Sequence, residues 1–137
     1  MLVRNYLDKS SIHGLGVFAG EVIRKGTKIW EFTPSIDLIL TENDVSRLSN
    51  IQTEWLLTYV YRELTIGKLI LCSDNAKYFN FSATPNTGGS GEDTFSSYAI
   101  RDIKEGEELT FSVSEDIDAK SKLGSVIYQS LLDTTRT

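Results

Sequence analysis

The sequence predicts a β-rich α+β domain, with many short strands around one middle helix, and three observations carry that prediction. Short apolar–polar alternations, punctuated by glycine and proline, fill the first forty residues and return after residue 67. One helical stripe with its own cap separates the two strand-rich parts. The length, 137 residues, suits a single core and is too short for two.

Taken in chain order, Leu2 to Leu7 alternates and reads as a strand. Val17-Phe18-Ala19 is a second, entered through the tight Gly14-Leu15-Gly16 segment. The turn Arg24-Lys25-Gly26 leads into a third, Lys28 to Phe32, which stops at Pro34, and Asp37 to Leu40 makes a short fourth. Thr41 to Asp44 has capping-box form for a short helix, and Ser49 to Gln52 for a longer one. From Ile51, apolar side chains recur at Trp55 and Tyr59 and at Leu56 and Val60, the spacing of one buried stripe. Gly67 ends that pattern, which predicts a helix of about three turns. Lys68 to Cys72, Thr94 to Ile100 and Glu108 to Val113 read as strands, and Thr87 to Asp93 as a flexible, Gly-rich hairpin loop. Ala119 to Thr137 places Leu123, Val126, Ile127, Leu131 and Leu132 at helical spacing, interrupted by Gly124.

Composition narrows the function. Lys and Arg total 14 against 19 Asp and Glu, a formal charge of -5, which argues against a direct nucleic-acid binder. Mild acidity fits a basic partner such as a Lys-rich protein segment, although it serves solubility too. One Cys and one His leave no intramolecular disulfide and no Cys-cluster zinc site, so no metal is expected. Cys72 ends an apolar strand as a core residue would, and His13 beside a glycine turn reads as a loop residue. No apolar run approaches the roughly 18 residues of a membrane helix. The start of the chain reads as a strand rather than a signal peptide, so no membrane association and a cytoplasmic address are the expectations.

Three stretches carry chemistry. In Ser11 to Ala19, two glycines flank Leu15, which lets backbone come close to a ligand or simply makes a turn. In Asp74 to Asn86, turn-prone polar residues surround Tyr78, Phe79 and Phe81, and Asn80 and Asn86 can satisfy buried backbone groups where chains cross. Ala99 to Thr110 contains the turn Lys104-Glu105-Gly106 and enters a strand. Together and in this order they resemble the SET domain family of protein-lysine methyltransferases. Gly14-Leu15-Gly16-Val-Phe-Ala19 is similar to that family's Gly-x-Gly motif, and Arg24 to Phe32 to the strand pair that follows it. Asn80-Phe-Ser-Ala-Thr-Pro-Asn86 resembles the Asn-His-Ser-x-x-Pro-Asn signature, and Arg101 to Thr110 the Gly-Glu-Glu-Leu-Thr motif. The likeness covers roughly residues 2 to 115.

The resemblance implies several small, short-stranded sheets around a threaded, pseudoknot-like C-terminal segment, with one middle helix. It makes residues 1–118 the SET domain and 119–137 a helical extension of the same compact unit. It implies S-adenosylmethionine as cofactor, with backbone contacts from Gly14, Leu15 and Gly16, and with Asn80 and Phe81 holding its amino-acid and adenine parts. A protein lysine would enter from the opposite face through an aromatic channel. Tyr59 matches a position that commonly lines that channel, and equally fits the core stripe of its helix. Two departures stand out. The signature's His is Phe81, and the tyrosine most often assigned to catalysis is Val113. Loss of a positioned proton-handling group of this kind costs about 10² to 10⁴ in rate. Tyr59, Tyr78 and Tyr98 are the other tyrosines that could bring a hydroxyl to the amine. The 119–128 segment can serve as a lid or pack outside the domain or against a second copy, and a homodimer is an open expectation. Three functions stay open: a methyltransferase, supported by the glycine segment, Asn80 and Tyr59; a catalytically degenerate binding module, supported by Phe81 and Val113; and a structural domain whose pocket side chains fill.

Overall fold

The computed structural model describes residues 1–63, 68–90 and 93–112. Within them, β1 (Asn5–Lys9) and β2 (Leu15–Ala19) form an antiparallel pair. The strands β3 (Lys28–Glu31), β8 (Thr87–Ser90) and β9 (Asp93–Ala99) form a second sheet in the order β3-β9-β8. A third, ordered β4-β6-β5, joins β4 (Leu38–Leu40), β5 (Tyr61–Glu63) and β6 (Lys68–Leu71). The fourth pairs β7 (Asn80–Ser82) with β10 (Thr110–Ser112) in parallel. Two helices, α1 (Glu42–Ser46) and α2 (Asn50–Tyr59), stand between β4 and β5, and a 3-10 turn, Asn75–Tyr78, precedes β7. The predicted class therefore holds: a strand-rich chain of small separate sheets with one helix of any length. Among the described residues no helix is long and apolar enough to cross a membrane.

Both helices start as their capping residues dictate. The Thr41 hydroxyl accepts from the Asp44 N–H while the Asp44 carboxylate accepts from the Thr41 N–H, and Ser49 and Gln52 do the same for α2. The rest of α2 departs from its sequence pattern. It ends at Tyr59, because Tyr61–Glu63 is drawn into pairing with β6. Its buried face is Thr53 and Leu56, with Leu56 packed among Val45 and Leu69, whereas Ile51 is 79% exposed and Trp55 47% exposed. The expected Ile51–Trp55–Tyr59 core stripe is thus an outer face. The Thr53 hydroxyl is buried without penalty because it donates to the Ser49 carbonyl.

Two further expectations are corrected. The first strand begins at Asn5, with Leu2 half exposed. The Gly-rich Thr87–Ser90 stretch is a strand rather than a flexible loop, since β9 offers it a ladder and Thr110 accepts and holds Thr87 from the other side: the Thr87 hydroxyl donates to the Thr110 carbonyl at 2.8 Å. Residue 67, Val113 and the 119–137 extension lie outside the described residues.

The largest core cluster is Val17, Ala19, Ile23, Ile29, Ala99, Ile103 and Leu109. Complete burial of Ile103 and Leu109, each worth about 1.5–3 kcal/mol, draws the 101–112 segment into the fold. That segment first runs beside β2, where the Leu109 N–H donates to the Val17 carbonyl at 2.7 Å, and then beside β7. It joins the N-terminal glycine segment to the Asn80 segment. Cys72 is a core residue as expected, packed with Trp30 and Ile70, and burial pushes its thiol pKa up, with the Asp37 and Asp74 charges adding to the rise.

Candidate functional site

The site is built around one side chain. The Asn80 amide nitrogen lies 3.0 Å from the His13 carbonyl, 3.2 Å from the Leu15 carbonyl and 3.0 Å from Glu108 Oε2, and donates to all three. Its two hydrogens are therefore spent on the protein. Asn80 clasps the glycine turn to β7, and its role is to position that turn rather than to offer a free amide.

Glu108, at a place the sequence reading left unassigned, completes the clasp. Its carboxylate accepts from the Ser10 hydroxyl at 2.7 Å as well as from Asn80. The Ser10 oxygen in turn accepts from the backbone N–H groups of Ile12 and His13. This arrangement explains one glycine. A Cβ on Gly16 would stand 2.6 Å from Glu108 Oε2, so a side chain there would push Glu108 out of the network. The glycine is required by the protein's own carboxylate. Gly14 differs: its φ is +50° and nothing lies within 4 Å of where a Cβ would be, so it serves the turn, and its carbonyl accepts from the Ser10 N–H at 2.8 Å. His13 is exposed in the turn, as a loop residue would be.

Asn86 acts as a second crossbar. Buried to 2% exposure, it donates to the Glu108 carbonyl at 2.8 Å and accepts from the Thr110 N–H at 2.9 Å. Asparagine thus satisfies backbone groups across a chain crossing at both positions, 80 and 86.

The two remaining predicted residues fall into aromatic groups. Phe81 and Phe111 are partners in the β7–β10 register, with ring centroids 4.2 Å apart and Phe79 beyond at 6.2 Å from Phe111. Both rings of the closer pair are half-buried. Leu15, whose carbonyl Asn80 holds, is 49% exposed. Tyr59 belongs to a different group: its ring stands 5.1 Å from Trp55 and 5.5 Å edge-on from Tyr78, with the Lys77 ammonium nearby. Here the helix-face and site readings of Tyr59 part, because its neighbours are exposed or half-buried aromatics and not the Val45–Leu56–Leu69 core. Val113, one residue past β10, lies outside the described residues.

The fit to S-adenosylmethionine rests on the exposed Leu15 side chain and the half-buried Phe81–Phe111 pair, an apolar surface on which an aromatic base can stack. Among the described residues no group of three or more His, Cys, Asp or Glu could hold a metal ion. The sequence reading found Asn80 because the motif named it. It missed Ser10, Glu108 and Phe111, whose only signal was membership of the same motifs or proximity to them.

A family model described as SET domain matches residues 14–112, most of the chain. No curated protein matches it. Among solved structures it is similar to PFL0690c of Plasmodium falciparum, at 22% identity and a TM-score of 0.57 over 82% of this chain and 95% of that one. It is also similar to Polycomb Repressive Complex 2 of Chaetomium thermophilum in an autoinhibited conformation bound to S-adenosylmethionine, at 22% identity and a TM-score of 0.68. That match covers 94% of this chain but 17% of the other. A third is DIM-5 of Neurospora, a histone lysine methyltransferase, at 23% identity and a TM-score of 0.56 over 81% of this chain and 52% of that one. At these identities the likeness is one of fold. The chain spans only a part of the second and third of these proteins.

Proposed function

The chain belongs to the SET domain family, and on that footing we propose that it transfers a methyl group from S-adenosylmethionine to the lysine side chain of a protein. The observation that carries the proposal is the convergence on Asn80: one amide ties together the glycine turn, the Asn80–Asn86 segment and the Glu108 segment, three stretches far apart in sequence. Such a clasp presets the turn's backbone for a ligand, which lowers the ordering cost of binding.

In this reading the Gly14–Gly16 backbone holds the cofactor's polar part, and Phe81 with Phe111 stacks on its adenine. Asn80, Glu108 and Ser10 act through the turn and are positioning residues. When bound, S-adenosylmethionine supplies a methyl group on a positively charged sulfur. What this chain must do is hold the incoming amine in line and shed water around it, so that the neutral amine is favoured over the ammonium. Tyr59 and Tyr78 supply aromatic surface for the lysine stem. The usual tyrosine hydroxyl is missing at Val113, so orientation of the amine falls to another group and turnover is slow. The partner is a Lys-rich protein segment, in keeping with the charge of -5, and the reducing cytoplasm is the proposed compartment.

A second reading, a SET-fold module that binds ligand without efficient transfer, is favoured by Phe81 and Val113 together. Calorimetric titration with S-adenosylhomocysteine, followed by a radiolabelled methyl-transfer assay on Lys-rich protein, separates the two. Micromolar binding with transfer that rises in Val113→Tyr is expected of the enzyme. Micromolar binding with no transfer in either form supports the module. No binding at millimolar ligand overturns both and leaves a fold kept for contacts with other proteins.

A further inference from the structure

The strand β4 is an outer strand: the order β4-β6-β5 gives it β6 on one side and, among the described residues, no strand on the other. Both of its ends are fixed. Ahead of it, the buried Asp37 carboxylate accepts from the Thr33 N–H at 2.8 Å and from the Ser73 N–H at 3.2 Å. The Ser73 hydroxyl donates to the Ile36 carbonyl. Behind it, Thr41 opens α1 through its capping box. The strand thus presents a preformed row of backbone N–H and C=O groups, with little left to order on pairing.

Its side chains do not guard that edge. Outer strands are ordinarily kept apart by charges, prolines or bulges, or are covered. Here β1 carries Asp8 and Lys9, and β3 is met by Leu2, whose N–H donates to the Ile29 carbonyl at 2.7 Å. In β4 the residues are Leu-Ile-Leu, with Leu38 54% and Ile39 38% exposed, and Ile36 just before it is 47% exposed. Leu38 belongs to the helix-covered sheet face, opposite Leu71, and Ile39 to the other face, opposite Ile70. Apolar surface therefore flanks the edge on both sides. From Phe32 to Thr41 the only ionisable residue is Asp37, whose carboxylate is buried and engaged.

We propose that β4 is the contact between two copies of this chain, paired antiparallel about a two-fold axis at Ile39. That register sets Ile39 against Ile39, and Leu38 of each copy against Leu40 of the other. It joins two three-stranded sheets into one of six strands. Charge selects this occupant. Each copy carries -5, so like charges oppose association over most of the surface. The stretch from Phe32 to Thr41, with no exposed charge, is where two copies meet without that repulsion. A strongly charged partner gains nothing from such an edge, whereas an identical strand matches it in length and hydrophobicity. Three residues per copy make a small interface, so the dimer is weak and depends on concentration. The contact lies apart from the residues assigned to cofactor and lysine, and it does not depend on the methyl-transfer reading.

The test is sedimentation of the whole chain from micromolar to millimolar concentration. Monomer should give way to a dimer and to nothing larger. Added salt should strengthen the dimer, since it screens the -5 charges and leaves the apolar edge intact. Leu38→Lys should weaken it about ten-fold or more, because each copy then sets an ammonium against an apolar neighbour. Ile51→Lys, at the more exposed apolar residue of α2, should leave it unchanged. The emission of the buried Trp30 verifies that each variant folds. Ile39→Cys adds a direct check of register. Residues opposite each other in an antiparallel pair have Cα atoms about 4.5–5.5 Å apart, within the roughly 4.4–6.8 Å that a disulfide spans. Mild oxidation should therefore link two copies, whereas Ile51→Cys should not link, and the buried Cys72 takes no part. A monomer at millimolar concentration overturns the proposal and leaves the edge to solvent or to another protein's strand. Growth beyond a dimer overturns it too, and makes β4 an aggregating edge. So does an unchanged dissociation constant in Leu38→Lys, a lost dimer in Ile51→Lys, or equal cross-linking at positions 39 and 51.

Discussion

Replacement of Asn86 by Ala should destabilise the protein by about 3 kcal/mol. The magnitude follows from what the side chain leaves behind. The Thr110 N–H, in a residue only 6% exposed, loses the Asn86 carboxamide oxygen at 2.9 Å, and an unsatisfied buried donor costs about 1–3 kcal/mol. The Glu108 carbonyl loses the amide at 2.8 Å, but water can reach that half-buried residue, so about 1 kcal/mol is added. Against a typical total stability of about 5–15 kcal/mol, this moves the midpoint of a urea transition visibly and lowers Tm by about 10 °C. The emission of Trp30, buried and edge-on to Tyr61, reports the transition. A sharper check is Asn86→Asp. Its carboxylate still accepts from Thr110 but faces the Glu108 carbonyl oxygen, a contact only a protonated acid can satisfy. The new acid's folded pKa therefore rises above its unfolded value near 4, and the deficit shrinks as pH falls through that raised pKa. A loss below about 1 kcal/mol for the alanine variant, or no relative recovery of the aspartate variant in acid, would refute the crossbar argument.

Other consequences can be measured in the same way. Glu108→Gln should cost about 1 kcal/mol in urea melts, since two donors, Ser10 and Asn80, converge on a group that would then carry an N–H of its own. The same variant should also weaken S-adenosylhomocysteine binding, and unchanged affinity in calorimetry would free the glycine turn from its clasp. Ser49→Ala removes one half of the α2 capping box and should lower stability by about 1 kcal/mol, while Ser49→Gly costs only a few tenths; equal losses would point to some role other than the cap. For Glu107, partial burial raises the carboxyl pKa, but the Lys104 backbone N–H and the Arg101 guanidinium outweigh it and hold the value below normal. Its contribution is thus present above the unfolded carboxylate range near 4.3 and lost as pH falls through the lowered folded pKa. Glu107→Gln should flatten that acid limb in melts taken between pH 7 and pH 2, and an unchanged slope would count against it.

Local rules made much of this protein legible from sequence. The capping residues Thr41 and Ser49 start their helices where expected, because a cap is satisfied within four residues of chain. The glycine turn, seven of the ten described short strands and the asparagines at chain crossings were legible too, and the joint order of three motifs pointed to the family. Tyr61–Glu63, Asn80–Ser82 and Thr87–Ser90 did not read as strands. What tertiary structure decided was everything set by a partner distant in sequence. The rotation of α2 is one case: Ile51, Trp55 and Tyr59 have core spacing, yet Val45 and Leu69 draw Leu56 inward, and the aromatic face turns out toward Lys77. The Thr87–Ser90 stretch is another, flexible by composition but paired because β9 and Thr110 flank it. The same holds for Gly16, whose missing side chain makes room for Glu108, a residue 92 positions further along the chain. Periodicity reports that a face is apolar, whereas only the neighbours that arrive by folding determine whether it is buried and which polar groups must meet.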